Sequence, residues 1–137
     1  TYADVTDFVV PVVGGKTYKI EIIAMFSSDT TTTGIKFGLY SAAAGGTIGG
    51  FFEASLGATA LATGLKIPIS ILASTPQTTS QIITTGVTVI NTKNYLTASI
   101  IFNCTVSGNI QFAMGSEVNS TTVTLSTGST LMYKTIW

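Results

Sequence analysis

The sequence predicts an all-β protein: an antiparallel, jelly-roll-like β-sandwich of about eight or nine strands, with little or no helix. Three observations carry that prediction. Apolar and polar residues alternate with period two in several runs, segments rich in Gly, Ser and Thr punctuate those runs, and no stretch keeps a convincing helical period. Threonine, present 25 times in 137 residues, adds a β-branched side chain that suits pleated strands.

The elements follow in order. Lys16–Phe26 sets Tyr18, Ile20, Ile22, Ala24 and Phe26 on one face, with Lys19 and Glu21 beginning the other. That second face turns apolar at Ile23 and Met25, so the far half of the strand is expected to be covered on both sides, by another element or another subunit. Thr33–Tyr40 turns Ile35, Phe37 and Leu39 inward, and the small polar run Ser27–Thr32 reads as a hairpin connection between the two strands. Ala42–Gly50 reads as a glycine-rich loop before a short strand at Phe51–Leu56. Leu56–Thr79 is weakly periodic, with Ala58–Leu65 capable of a helical turn or two. Alternation returns in Ser80–Ile90 and in Lys93–Val106, where Leu96, Ala98, Ile100, Phe102 and Cys104 share a face. Ser107-Gly108-Asn109 has turn composition and predicts a hairpin to Ile110–Met114. Thr121–Leu125 and Ser129–Trp137 close the chain as two strands. No Cys…Trp…Cys pattern marks an immunoglobulin domain.

Composition bounds the function. The chain has six Lys, six Asp or Glu, no Arg and no His. Without imidazole there is no Ser-His or Cys-His nucleophile pair and no His-ligated metal, so an enzyme is not expected. Six scattered lysines make no basic patch for nucleic-acid phosphates. The apolar runs Phe8–Val13 and Ile67–Ala73 fall far short of the ~20 residues of a membrane-spanning helix. The length suits one domain over residues 1–137. Thr1 is not an initiator methionine and no signal-peptide layout opens the chain, so a processed product or the C-terminal part of a longer chain is expected. The lone Cys104, inside an apolar run, reads as a buried inert thiol.

Charged residues make up only 9 % of the chain, against about a quarter in ordinary soluble domains, and mean hydropathy is +0.52. The 25 Thr and 13 Ser hydrate the surface without charging it, and near-zero net charge promotes association. This is the composition of a protein that works inside an assembly. Ile23, Met25 and the single tryptophan, Trp137, are the candidate interface residues, with Trp137 expected to pin the last strand against the fold or a neighbour.

Motifs of chemistry are sparse. Glu21 and Asp29 have solvated placements, so no acid–base carboxylate pair stands out among the six. No Asp-x-Asp-x-Asp-Gly calcium loop occurs, and Gly14-Gly15, Gly45-Gly46 and Gly49-Gly50 lack the lysine and helix of a phosphate loop and read as turns. Two glycosylation sequons, at Asn103 and Asn119, are the number chance provides in so Ser/Thr-rich a chain. Tyr40, Phe51 and Phe52 flank the glycine-rich segment and are the candidate aromatics for stacking on a sugar, although core or interface filling is the favoured explanation for them.

Three segments carry a resemblance: Gly15-Lys16-Thr17-Tyr18 opening a long apolar strand, Phe26–Lys36 with its Thr run, and Phe112–Ser120 followed by Val123 and Gly128-Ser129. Together they resemble a β-sandwich module of tailed-bacteriophage virion proteins, found in tail fibres, head fibres and capsid-associated proteins. The resemblance covers roughly the first forty and last forty-five residues and has no counterpart in Ala42–Thr79. It implies a virion location, a non-enzymatic structural role without cofactor, and partners that are copies of itself, commonly as a homotrimer, and other virion proteins. The alternative is a carbohydrate- or receptor-binding tip domain for host adsorption.

Overall fold

The computed structural model describes residues 2–56, 65–69, 72, 74, 81–83, 87–118 and 120–137. Ten strands form among them: β1 (Tyr2–Val12), β2 (Thr17–Ser28), β3 (Ile35–Tyr40), β4 (Gly45–Ser55), β5 (Leu65–Ile69), β6 (Gln81–Ile83), β7 (Asn94–Val106), β8 (Gly108–Ser116), β9 (Val123–Leu125) and β10 (Thr130–Thr135). No helix occurs among the described residues. The possible helical turn at Ala58–Leu65 lies almost wholly outside them.

Two antiparallel sheets result. The four-stranded sheet runs β1-β8-β3-β6 and the six-stranded sheet β10-β2-β7-β4-β5, with β9 also beside β2. The nested pairs β1–β8, β2–β7, β3–β6 and β4–β5 are those of a jelly roll, in which a long antiparallel hairpin is wrapped so that its successive strands alternate between two sheets. β9 and β10 are additions to that plan. They lie end to end on one edge of β2, β10 against Tyr18–Ile23 and β9 against Phe26–Ser28.

The core is built from the alternation itself. β2 buries Tyr18, Ile20, Ile22, Ala24 and Phe26, and β7 buries Leu96, Ala98, Ile100, Phe102 and Cys104 on the same side. Phe8, Val10 and Val12 of β1, Ile35, Phe37 and Leu39 of β3, and Ile110, Phe112 and Met114 of β8 meet them from the other sheet. Phe52 of β4 locks the layers together, its ring 4.6 Å from that of Phe37 and 6.2 Å from that of Phe112. Offset and tilted aromatic pairs at such spacings contribute beyond their area burial. Burial pushes the Cys104 thiol up from its ordinary pKa, and its S–H donates to Val106 O at 3.2 Å.

Two expected hairpins are sheet crossings instead. β2 and β3 belong to different sheets, so Ser27–Thr32 carries the chain across the sandwich; β7 and β8 do the same through Ser107 alone. Turn composition specifies that a chain reverses, not which sheet receives it.

Ala42–Gly50 is also corrected: most of it is the first half of β4. Gly46 and Gly50 stand opposite Cys104 and Ile100 in register, where a Cβ would collide with the carbonyl oxygens of Asn103 and Ser99. These glycines admit close backbone approach rather than making turns. β1, which lacks clean alternation, carries a large bulge: five steps from Asp4 to Val9 lie against two from Ala113 to Gln111. The bulge breaks the period that would have announced the strand.

Candidate functional site

The two sandwich layers turn very different outer faces to their surroundings. On the six-stranded sheet, the outward residues form rows across the strands. One row aligns Met132, Glu21, Ser99, Phe51 and Pro68; the next aligns Thr130, Ile23, Thr97, Glu53 and Lys66. Ile23 (45 %), Tyr95 (52 %), Ile101 (40 %) and Met132 (50 %) stand exposed on this face. Charges of both signs are mixed among them, with Lys134 opposite Lys19 in register. Lys19 Nζ lies 2.8 Å from Glu21 Oε1, and that hydrogen bond, followed by the lysine charge, holds the Glu21 carboxyl below the usual range. Glu53 faces Lys66 in register, and Lys66 Nζ sits 3.8 Å over the Phe51 ring, a cation–π contact.

A depression of about 200 Å³ lies among Lys19, Glu21, Met132, Tyr133 and Lys134, and one of about 180 Å³ among Glu53, Ser55, Tyr95 and Thr97. Both are smaller than the roughly 300–1,000 Å³ that encloses a small molecule. The chemistry available is that of a broad contact surface.

The candidate residues do not share one environment. Ile23 points freely outward. Met25, two residues on, is half-buried under the chain's own Ser126–Ser129 turn: its N–H donates to Ser129 Oγ at 2.9 Å, its carbonyl accepts from Ser126 N at 2.7 Å, and its Cε abuts Gly128. The double covering expected of this half-strand is therefore supplied internally at Met25 and not at Ile23. Trp137 is pinned by its backbone, through Thr17 N to Trp137 O at 3.2 Å. Its indole is 81 % exposed, so the ring is not buried against the described residues of its own fold.

The three aromatics proposed for a sugar platform are separated. Phe52 is fully enclosed in the core and Phe51 lies under Lys66 on the outer face. Tyr40 belongs to the other sheet, where its hydroxyl donates to both carboxylate oxygens of Asp4 at 2.8 Å. Tyr40 on β3 and Asp4 on β1 flank β8, at the levels of Gln111 and Ala113, so the bond straps across β8. Burial first, and then the Asp4 hydrogen bond, push the Tyr40 phenol up to about 12.

One end of the sandwich is a hydroxyl-rich loop cluster that composition alone did not reveal. Gly34 N donates to Glu117 Oε2 at 3.0 Å and Glu117 N to Gly34 O at 2.9 Å; Thr122 N donates to Asp29 Oδ1 at 3.0 Å and Asp29 N to Thr122 O at 3.2 Å. Ser116 and Thr121 share a hydrogen bond beside them. Both carboxylates are thus occupied in fastening loops. No group of three or more potential metal-ligating side chains occurs among the described residues, and no described helix is long and apolar enough to cross a membrane.

Compared with known proteins, the chain matches no family model, no curated protein and no solved structure.

Proposed function

We propose that this chain is a non-enzymatic structural module of a bacteriophage virion, assembling with copies of itself and with other virion proteins. The observation that carries the reading is the outer face of the six-stranded sheet. It exposes apolar side chains at Ile23, Ile101, Met132 and Tyr95, and its few charges are of mixed sign. Charges of mixed sign limit repulsion between copies, and desolvating the apolar centre supplies the association energy.

The virion location rests on the resemblance, and two of its three segments gain physical sense from the fold. Phe26–Lys36 and Phe112–Ser120 lie far apart in sequence yet interlock through Gly34 and Glu117, so they describe one built end of the sandwich. The jelly roll is compatible with this but does not choose it, since capsid proteins, lectins and cupins share the architecture. A homotrimer is the order that the fibre resemblance implies.

Ile23→Lys tests the reading. The side chain is exposed, so the fold should lose no more than about 0.5 kcal/mol, while light scattering should give a smaller oligomer than the wild-type chain forms, and incorporation detected in purified virions should fail. A wild-type chain that is monomeric at micromolar concentration and absent from virions would refute the proposal.

A further inference from the structure

The six-stranded sheet ends on an edge that nothing among the described residues closes. Ile136 N donates to Thr17 O at 2.8 Å, and antiparallel ladders alternate bonded with non-bonded pairs. Following the register from there, Thr130, Met132 and Lys134 turn their backbone groups toward β2. Leu131, Tyr133 and Thr135 turn theirs outward, where no described strand pairs with them.

The other sheet edges carry the features that discourage strand addition. β1 has Pro11, two aspartates and a bulge; β5 contains Pro68; β6 is three residues long. β10 has none of these. Its six residues run against β2 without a register break, include no proline and only one charge, and continue into exposed Ile136 and Trp137.

We infer that this edge receives the β10 strand of a second copy, antiparallel about a two-fold axis at Tyr133, so that the two six-stranded sheets become one. Each outward N–H and C=O of Leu131, Tyr133 and Thr135 then finds a partner. Tyr133 meets its own counterpart, and Leu131 meets the second copy's Thr135. Lys134 comes opposite the second copy's Met132, and beyond that methionine, on the same face, stands the second copy's Glu21. No like charges stand directly opposite one another, and one contact satisfies two identical open edges at once, which is why a second copy fits better than an arbitrary strand. The contact is isologous, so it closes after two chains and leaves no β10 edge open. It uses the edge and not the outer face, and so does not depend on the function proposed above.

The experiment is carried out on the full chain in the Ile23→Lys background, which removes the outer-face contact. Light scattering should give twice the 14.2 kDa chain mass, and the amides of Leu131, Tyr133 and Thr135 should gain hydrogen-exchange protection as concentration rises. Tyr133→Pro removes an outward N–H only and should leave a folded monomer by circular dichroism. Met132→Lys and Met132→Glu separate edge pairing from a general loss of fold. Within one chain Lys faces Glu21 favourably and Glu does not, whereas across the two-fold axis Lys meets Lys134 and Glu is attracted to it. Met132→Lys should therefore weaken dimerisation about tenfold or more while preserving the fold, and Met132→Glu should retain the dimer. A monomer or a trimer in the Ile23→Lys background, a dimer indifferent to Tyr133→Pro, or the opposite order of the two Met132 variants would overturn the inference.

Discussion

The two outer faces of the sandwich differ in what covers them. On the four-stranded sheet the chain covers itself. The β1 bulge folds over β8, Gln111 Nε2 donates into it at Val5 O (2.8 Å) and Phe8 O (3.4 Å), and the Tyr40–Asp4 strap passes over Ala113, which is completely buried although it points away from the core. On the six-stranded sheet the equivalent positions hold Ile23, Ile101 and Tyr95, all open. Facing outward in a sandwich thus does not mean facing solvent. The first sheet has its second cover in its own sequence, and the second sheet leaves these apolar side chains exposed.

The sharpest way to break this comparison is to place one charge on each face. Ala113→Glu drives a carboxylate beneath the strap with no basic partner among its register neighbours Asp4 and Gly38. Unfolding in denaturant should show a loss of at least about 3 kcal/mol. A fall below 1 kcal/mol would mean that the strap lifts readily and that the covered face is covered only nominally. Gln111→Ala comes next. It leaves the bulge carbonyls of Val5 and Phe8 without their side-chain donor, for a loss of about 1–3 kcal/mol, and the amides of β1 should exchange faster while those of β2 do not.

How legible this was in the sequence follows from the same contrast. β2 and β7 were readable because each keeps an unbroken period of two over a buried side, and their core residues were all identified from it. The sheet to which each strand belongs was not readable at Ser27–Thr32 or at Ser107, because small polar residues permit a hairpin and a crossing equally. β1 was hidden by its bulge, and the start of β4 by glycines whose function is close contact with β7. At the candidate site, Ile23 could be singled out because it interrupts a charged face. Tyr40 and Phe52 could not be sorted from Phe51, since aromatic identity does not encode which side of a sheet a ring occupies. The Asp4–Tyr40 strap joins residues 36 apart across an intervening strand, a relation visible only once register is known.

Tyr40 offers a smaller and pH-dependent test of the covered face. Its phenol ionises at about 12 in the fold against 10.0 for an unperturbed tyrosine, because burial and the carboxylate of Asp4 both disfavour the phenolate. A raised pKa contributes stability that is fully present below pH 10 and is lost as pH climbs from 10 toward 12. Tyr40→Phe should remove that alkaline loss and the highest phenolate absorbance transition together, and at neutral pH should destabilise by about 0.5–1.5 kcal/mol. An unchanged alkaline titration would show that the strap is not held in solution.

The smallest expected effect on the fold falls on the open face and completes the pair begun with Ala113. Ile101→Glu introduces the same carboxylate at another outward β position, yet Ile101 is 40 % exposed and stands opposite Lys19 and Gly49 in register. The new charge keeps its water, gains an ammonium neighbour and displaces no buried contact, so the midpoint of unfolding should shift by no more than about 0.5 kcal/mol. Self-association should nevertheless weaken, because in the assembled state that carboxylate would be desolvated at the centre of the contact. The two glutamates therefore separate folding from assembly: one should unfold the chain that the other leaves folded but without its outer-face contact. If Ile101→Glu destabilised the fold as strongly as Ala113→Glu, the six-stranded sheet would have to be covered by its own chain as well, and the outer face would lose its standing as an assembly surface.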